Sequence, residues 1–175
     1  MEIPDSNPEN PPSALPQFDV EKAQAFEQQL LVEQSMPKAL AAGIAAALVG
    51  AVVWAVVTVL TNYQIGWMAV GIGFLVGWGV RAAGKGVTKT YGYLGAVLSL
   101  LGCLLGNVLS IYGFVANELH ISIFATINLI PIDGIFEVVK ENFSIIDLLF
   151  YGIALSQGYK LSFRQISEGE VSTLN

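Results

Sequence analysis

The sequence predicts an all-α protein, a transmembrane four-helix bundle with a disordered N-terminal arm and short amphipathic helices. Its 175 residues are 54% hydrophobic and only 13% charged, whereas about 25% of the residues in a typical soluble domain are charged. So few charges cannot cover a surface that faces water. Long uncharged stretches, with most of the glycines inside them, are the other observations that indicate a membrane bundle.

The largest gap between charged residues defines the first two spans. No charged residue lies between Lys38 and Arg81, and as a helix these 42 residues would extend about 63 Å, twice the ~30 Å hydrocarbon core. The stretch must therefore fold back. The polar cluster at 61–64 predicts a turn between a first span at 39–60 and a second at 65–83.

Two further spans follow from the rest of the sequence. An uncharged gap of 28 residues at 90–117 predicts a third span at 93–115. The last apolar stretch, 145–163, has Asp147 near one end and Lys160 near the other. Because both side chains can reach the headgroup region from these positions, we expect a fourth span there.

The segment between the third and fourth spans has a different pattern. The apolar stretch at 119–132 is short and is compatible with a surface, re-entrant or spanning position. The residues that follow place their apolar side chains on one helical face, namely Ile132, Ile135, Phe136, Val139, Phe143 and Ile146. This periodicity predicts an amphipathic helix that lies at the membrane surface.

The basic residues predict the orientation of the bundle. Lysine and arginine flank span ends that would share one side of the membrane, at Lys38, Arg81, Lys85, Lys89, Lys160 and Arg164, and the turn at 61–64 contains neither. Basic residues accumulate on the cytoplasmic side. We therefore expect a multi-pass membrane protein at 38–164, with both termini in the cytoplasm and a cytoplasmic tail at 165–175.

Two segments precede the bundle. The arm at 1–17 holds five of the seven prolines and no apolar run, which predicts disorder and not a signal peptide. At 18–37 the sequence predicts a cytoplasmic amphipathic helix, with Asp19 as its N-cap and Phe26 and Leu30 on its apolar face. Its acidic excess favours a protein partner or self-association over anionic lipid, and a solvated helix remains the alternative.

Glycine marks the predicted packing surfaces. Fourteen of the 18 glycines lie from Gly43 to Gly113, and small residues let membrane helices approach closely. We predict helix packing at Gly43, Gly50, Gly66, Gly73, Gly77, Gly95, Gly102 and Gly106, of which two pairs form GxxxG motifs. A pore lining or an oligomer interface is the alternative use of the same faces.

Three polar residues are candidates for intramembrane function. Asn107 lies near the middle of the third span, where an amide bonds to another helix or contributes to the polar lumen of an oligomeric pore. Asp147 completes a capping box with Ser144, and the alternative is a functional membrane acid. Gln157 resembles Asn107 but lies nearer a span end.

The basic loop after the second span could bind phosphate. Arg81, Lys85 and Lys89 are four residues apart, so a continued helix would present them as a row that holds a lipid phosphate or only fixes topology. The same region nearly matches GxxxxGK[ST], but Gly86 replaces the hydroxyl residue and a membrane helix precedes the motif in place of a strand. We exclude nucleotide binding on these grounds.

Composition and motifs exclude several further functions. The net charge of −6 argues against nucleic acid as a partner. The single cysteine, Cys103, excludes an internal disulfide and a multi-cysteine metal site, and His120 is the single histidine. No Ser–His–Asp pattern or paired intramembrane carboxylate is present. We expect no enzyme, no cofactor and no metal.

The run at 63–73, continued by Gly77, Arg81 and Gly84-Lys85-Gly86, and the segment at 102–107 resemble a group of small bacterial polytopic membrane proteins of unknown function. The likeness covers 39–163. It implies the four-span topology and no mechanism.

The sequence favours a non-catalytic structural or partner-binding subunit. We expect contact with membrane lipid and an oligomer, or a membrane-protein partner, bound through the N-terminal helix or the glycine faces. A small channel or transporter with a polar lumen near Asn107 is one alternative. A lipid-headgroup-binding helper to a membrane enzyme, acting through Arg81, Lys85 and Lys89, is another.

Overall fold

The computed structural model describes residues 20–63, 66–142 and 145–164, and every element in them is a helix. The predicted all-α fold is confirmed for these residues. The helices are α1 (Val20–Glu33), α2 (Met36–Thr61), α3 (Trp67–Gly84), α4 (Lys89–Glu118), α5 (Ile123–Leu129), α6 (Ile132–Asn142) and α7 (Ile145–Leu161).

Some predictions fall outside the described residues. They are the disordered arm at 1–17, the N-cap at Asp19, the last residue of the turn at Gln64, the capping residue Ser144 and the tail at 165–175. These remain predictions.

Three helices are long and apolar enough to cross a membrane, namely α2, α3 and α4. They correspond to the first three predicted spans. With 30 residues, α4 extends about 45 Å, so its ends continue beyond a hydrocarbon core of ~30 Å. The fourth apolar helix, α7, is shorter at 17 residues, with Asp147 in its first turn and Lys160 in its last.

The four apolar helices pack with α3 and α4 at the centre. Helix α2 packs on both from one side and α7 packs on both from the other. At one end of the bundle the Arg164 amide donates to Gly86 O at 2.8 Å. At the other end the Phe150 ring lies 5.8 Å from the Trp67 ring. Helix α7 therefore runs parallel to α3, as α2 does to α4.

Both parallel pairs meet through small residues one turn apart. In the α2–α4 pair, Cβ atoms added to Gly102 and Gly106 would lie 3.4 Å from the Cα atoms of Ala47 and Ala51, respectively. In the α3–α7 pair, a Cβ on Gly73 would lie 2.7 Å from Ala154 Cα, and one on Gly77 would lie 3.2 Å from Gln157 O. Each pair thus brings its backbones to close contact, as expected where helix packing does not depend on hydrophobic burial.

The antiparallel pair of α4 and α7 repeats this arrangement with serine. A Cβ on Gly95 would lie 2.7 Å from Ser162 Cβ, and one on Gly158 would lie 2.9 Å from Ser99 Cβ. Both hydroxyls donate within their own helix, Ser99 to Gly95 O at 2.7 Å and Ser162 to Gly158 O at 2.5 Å. The polar groups at this crossing therefore do not need water.

The other three predicted packing glycines also lie against a second helix. Gly43 meets Val80 and Leu98, Gly50 meets Ile72, and Gly66 meets the ring of Phe150. The structure thus places all eight predicted glycines at contacts within the chain.

The outside of the bundle is more bulky and apolar than its packing surfaces. Large apolar side chains exposed on α2, α3, α4 and α7 include Leu48, Val52, Val56, Phe74, Trp78, Leu101, Leu104, Leu148 and Leu149. An exposed apolar surface of this extent is unfavourable in water and matches the acyl chains of a bilayer.

The predicted helix at 18–37 is not continuous. Helix α1 ends at Glu33 and α2 already begins at Met36. The Ser35 amide between them donates to Gly84 O at 2.9 Å, which ties this break to the end of α3. Part of the predicted apolar face is half-buried, at Phe26 and Leu30.

The segment between α4 and α7 forms two short helices. Helix α5 has seven residues and a length of about 10 Å, which is too short to span. Helix α6 ends at Asn142, four residues before the predicted end of the amphipathic helix, and buries Ile135 while Glu137 and Lys140 are exposed.

Replacing Gly73 with alanine tests the close approach of α3 and α7. The new methyl group would meet the Ala154 backbone, and overpacking of this kind lowers the free energy of unfolding by about 1–3 kcal/mol. At Gly71, two residues away on the same helix, nothing lies within 4 Å of an added Cβ. There we expect a neutral change or a gain of up to ~1 kcal/mol from helix propensity.

Unfolding in mixed detergent–SDS micelles, followed by circular dichroism, measures both variants. Equal stability of Gly73→Ala and Gly71→Ala would contradict the packing described above.

Candidate functional site

A line of polar side chains runs along the buried face of α4. Ser99, Cys103, Asn107 and Ser110 are spaced by three or four residues and are buried. This face lies against α2, α3 and α7, and Cys103, Asn107 and Ser110 each contact a polar atom of another helix.

Asn107 bonds to α7. Its Nδ2 donates to the Tyr151 hydroxyl at 3.0 Å, and the two side chains are 5% and 7% exposed. This geometry matches the first interpretation of Asn107, a hydrogen bond to another helix, and not the second, a side chain that faces a polar lumen. Tyr151 was not singled out in the sequence, although a tyrosine inside an apolar segment signals a hydroxyl that needs a partner.

Ser110 joins α4 to α2 near the Trp67 end of the bundle. Its hydroxyl donates to Gly106 O at 2.7 Å and lies 3.4 Å from Thr58 Oγ1. A serine hydroxyl has one hydrogen, so the shorter bond to the carbonyl uses it. The longer contact with Thr58 Oγ1 is therefore the weaker of the two.

Two further polar atoms of the interior, on Cys103 and Trp54, are weakly bonded or unpaired. Cys103 Sγ lies 3.7 Å from Ala69 O on α3. Trp54 is 1% exposed, and its Nε1 has no hydrogen-bond partner within the described residues. Its ring packs over Gly106, where a Cβ would come within 2.9 Å.

Asp147 and Gln157 do not join the Asn107 pair in one site. Asp147 is half-buried in the first turn of α7, one turn before Tyr151. Gln157 lies six residues after Tyr151, in a shallow groove on the outer side of α7 with Leu149 and Ile153. The three candidate polar residues are therefore spread along the bundle and do not line a common cavity in the described structure.

The predicted basic row does not form on one helix. Helix α3 ends at Gly84, and Lys85 adopts the left-handed conformation with φ of 48°. Lys89 belongs to the start of α4. Arg81, Lys85 and Lys89 are exposed, and Lys85 Nζ is 3.4 Å from Glu33 Oε2.

Two glycines explain this break. A Cβ on Gly84 would lie 2.6 Å from Ala39 Cβ, and one on Gly86 would collide with the buried ring of Tyr91. Both glycines are thus required for space, and Lys85 between them takes the left-handed conformation at a cost of ~1–2 kcal/mol. Their carbonyls accept from Ser35 and Arg164, which ties the ends of α2, α3 and α7 together.

Two apolar grooves lie in line on the outer side of α2 and α4. The first has a volume of 140 Å³ and the second 290 Å³. We call them together the α2–α4 furrow. Its lining comprises Ile44, Ala47, Leu48, Leu98, Leu101, Gly102 and Leu105 in the first groove, and Val52, Ala55, Val56, Val59, Leu60, Leu109, Gly113 and Ile123 in the second.

The furrow has small residues among larger ones. Ala47, Gly102 and Gly113 are buried, whereas Leu48, Val52 and Leu101 are about half exposed. A depression with raised apolar sides and small residues is the shape that accepts another membrane helix.

The described residues contain no group of three or more histidine, cysteine or acidic residues able to hold a metal ion. Comparison with protein-family models, with curated proteins and with solved structures finds no match.

A double-mutant cycle between Asn107→Leu and Tyr151→Phe tests the α4–α7 bond. Interhelical hydrogen bonds in membrane proteins contribute about 0.6 kcal/mol and at most ~1.7 kcal/mol. We expect a coupling in this range when unfolding is measured in micelles. Because each single variant is subtracted in the cycle, interactions of Tyr151 with other neighbours cancel and do not contribute to the measured coupling energy.

Tyr159→Phe provides the control, because Tyr159 contacts Tyr93 and Phe163 at the opposite end of α7. The changes in the free energy of unfolding caused by Tyr159→Phe and Asn107→Leu should add within about 0.5 kcal/mol in the double variant. A coupling between Asn107 and Tyr151 no larger than this control would show that the bond does not stabilise the bundle.

Proposed function

We propose that the chain is a non-catalytic integral membrane protein that spans the membrane four times and acts as a self-associating, partner-binding subunit. The α2–α4 furrow carries this proposal. A second copy of the chain inserts a helix there. Both termini lie in the cytoplasm, and the resemblance noted above implies the inner membrane of a bacterium.

The fourth span is supported by the packing and length of α7. It packs on α3 and α4, parallel to α3, and its 17 residues extend about 26 Å. That length is at the short end of the range for a membrane span. Asp147 and Lys160 lie in its first and last turns, where both can reach the interface.

The charges at the two ends support the orientation. The end formed by the start of α2 and α4 and the end of α3 and α7 carries Lys38, Arg81, Lys85, Lys89, Lys160 and Arg164. The other end carries Glu118, Glu137 and Glu141 with Lys140. The basic end is the cytoplasmic one by the positive-inside rule.

The interior favours packing over conduction. Asn107 is bonded to Tyr151 at 3.0 Å and Ser110 to Gly106 O, within helices whose backbones touch. A polar lumen needs such groups to face water. The lipid-helper alternative is weakened in turn, because the basic row is broken at Lys85 and one of its members pairs with Glu33.

Apolar exposure alone does not select a partner in a membrane. Lipid tails are as apolar as leucine, so helices associate where their shapes fit and their backbones approach. Most glycine faces of the chain are already occupied within the bundle. Within the described residues, the furrow is a surface with small residues that remains open toward lipid.

Filling the furrow should weaken self-association. Ala55→Leu places a larger side chain in the 290 Å³ groove, where it would exclude a second helix. Energy transfer between donor-labelled and acceptor-labelled copies in liposomes measures association. We expect the transfer of the variant to fall to the level of randomly placed monomers.

Gly71→Leu is the matched control, because it adds the same side chain where nothing lies within 4 Å of a Cβ. Its transfer should equal that of the unaltered chain. Wild-type-like transfer in Ala55→Leu, or no transfer above the random level in the unaltered chain, would refute self-association through the furrow.

The topology is tested separately by cysteine labelling. In a Cys103→Ala background, a membrane-impermeant maleimide added to intact cells should label Glu118→Cys at the exposed end of α4. Asn175→Cys should react only after permeabilisation, because four spans return the tail to the cytoplasm. Labelling of Asn175→Cys in intact cells would overturn the four-span arrangement.

A further inference from the structure

Helix α5 presents apolar side chains that the bundle does not cover. Phe124 is 80% exposed and Leu129 60%, and Ile123 and Ile127 are about half exposed. The stretch at 119–132 contains no acidic residue, lysine or arginine. Four large apolar side chains on one short helix would form an unfavourable surface in water.

Three polar side chains of this stretch make hydrogen bonds within it. Thr126 Oγ1 donates to Ser122 O at 3.2 Å, Asn128 Nδ2 donates to Phe124 O at 3.1 Å, and Ser122 Oγ accepts from Ala125 N at 3.2 Å. These side chains do not require water. They are therefore compatible with a low-dielectric surrounding.

The backbone of the connection from α4 to α5 is also paired. The amides of Leu119, His120 and Ile121 donate to carbonyls in the last turn of α4, at 3.0, 3.3 and 3.0 Å. At the other end of α5 the Ile130 amide donates to Thr126 O at 2.9 Å. Such pairing lowers the cost of removing backbone groups from water, since each unsatisfied group in hydrocarbon costs several kcal/mol.

Two contacts hold α5 against the bundle in one orientation. Thr126 is fully buried, and the Tyr112 hydroxyl donates to Ile130 O at 3.1 Å. The buried side of α5 thus faces α4, and Phe124, which is 80% exposed, points away from it.

The apolar face of α5 continues the surface of the spans. Ile123 lines the 290 Å³ groove with Val52 on α2 and Leu109 on α4. Val52 and Leu109 each lie nine residues before the end of their helix, about 13 Å along its axis. The groove also includes Leu60, one residue before the end of α2, so Ile123 lies beside the apolar ends of α2 and α4, at the end of the bundle where the exposed Trp67 lies.

We propose that α5 is embedded among the acyl chains of the leaflet at the Trp67 end of the bundle. The acyl chains contact Phe124, Ile127 and Leu129, and α5 anchors the connection between α4 and α7 in that leaflet. This placement requires that the apolar helices span the membrane. It does not depend on the orientation of the bundle or on self-association through the furrow.

A spin label at position 124 tests the placement in liposomes. Phe124→Cys is made in a Cys103→Ala background, and collision with oxygen, which concentrates in lipid, is compared with collision with a water-soluble nickel chelate. Phe74→Cys is the lipid-exposed reference and Glu137→Cys the water-exposed reference, since both side chains are exposed on their helices and neither lines the furrow. We expect the oxygen-to-nickel ratio at 124 to match that at 74 and to exceed that at 137 several-fold.

Two results would overturn the proposal. A ratio at 124 equal to that at 137 would place α5 in water. Protection of the label from both reagents would mean that protein, and not lipid, covers this face. If Cys103→Ala does not fold, the labels can be introduced into the unaltered chain, because the Cys103 side chain is fully buried and does not react. Ile127→Cys provides a second position on α5, where we expect the same oxygen-to-nickel ratio.

Discussion

Close backbone contact between helices is the constraint on which the whole bundle depends. In lipid, burying a leucine against another helix gains little over burying it against acyl chains, so association relies on dispersion, on interhelical hydrogen bonds and on shape. Small residues allow the required approach. At Gly73 a Cβ would lie 2.7 Å from Ala154 Cα, and at Gly102 it would lie 3.4 Å from Ala47 Cα. Larger side chains there would separate the helices.

The polar contacts follow from that approach. Asn107 and Tyr151 come within 3.0 Å because Gly95 and Gly158 bring α4 and α7 together further along the same crossing. Ser110 reaches Thr58 near the site where Gly106 packs against Ala51 and Trp54. The same small residues that provide packing thus place donors and acceptors opposite one another.

Much of this fold could be predicted from composition and spacing. The absence of charge between Lys38 and Arg81 locates two helices, because charged residues are costly in a hydrocarbon core. Glycine spacing in α3 and α4 identifies the faces that pack. The opposing residues, such as Ala47 and Ala154, could not be predicted, since the register between two helices depends on their tilt and offset in three dimensions.

The end of α3 shows why local spacing is an incomplete guide. The four-residue spacing of Arg81, Lys85 and Lys89 predicts one helical face, yet the helix ends at Gly84 and Lys85 is left-handed. Gly84 and Gly86 lie where neighbouring rings and methyl groups leave no room for a Cβ. The Gly-Lys-Gly signal was present in the sequence, and glycine is common at helix ends. The sequence alone did not show that glycine is required there, because the neighbours that leave no room for a Cβ, Tyr91 and Ala39, come into contact with this segment only in the folded protein.

The distribution of small residues also bears on function. Where a glycine face is occupied within the chain, its spacing is explained by stability and carries no information about partners. The α2–α4 furrow differs, because its lining includes Ala55, which is only half-buried, beside the exposed Val52 and Val56. Since recognition between helices in a bilayer depends on shape and not on apolarity, an open small-residue depression is more informative about a partner than the far larger apolar surface around it.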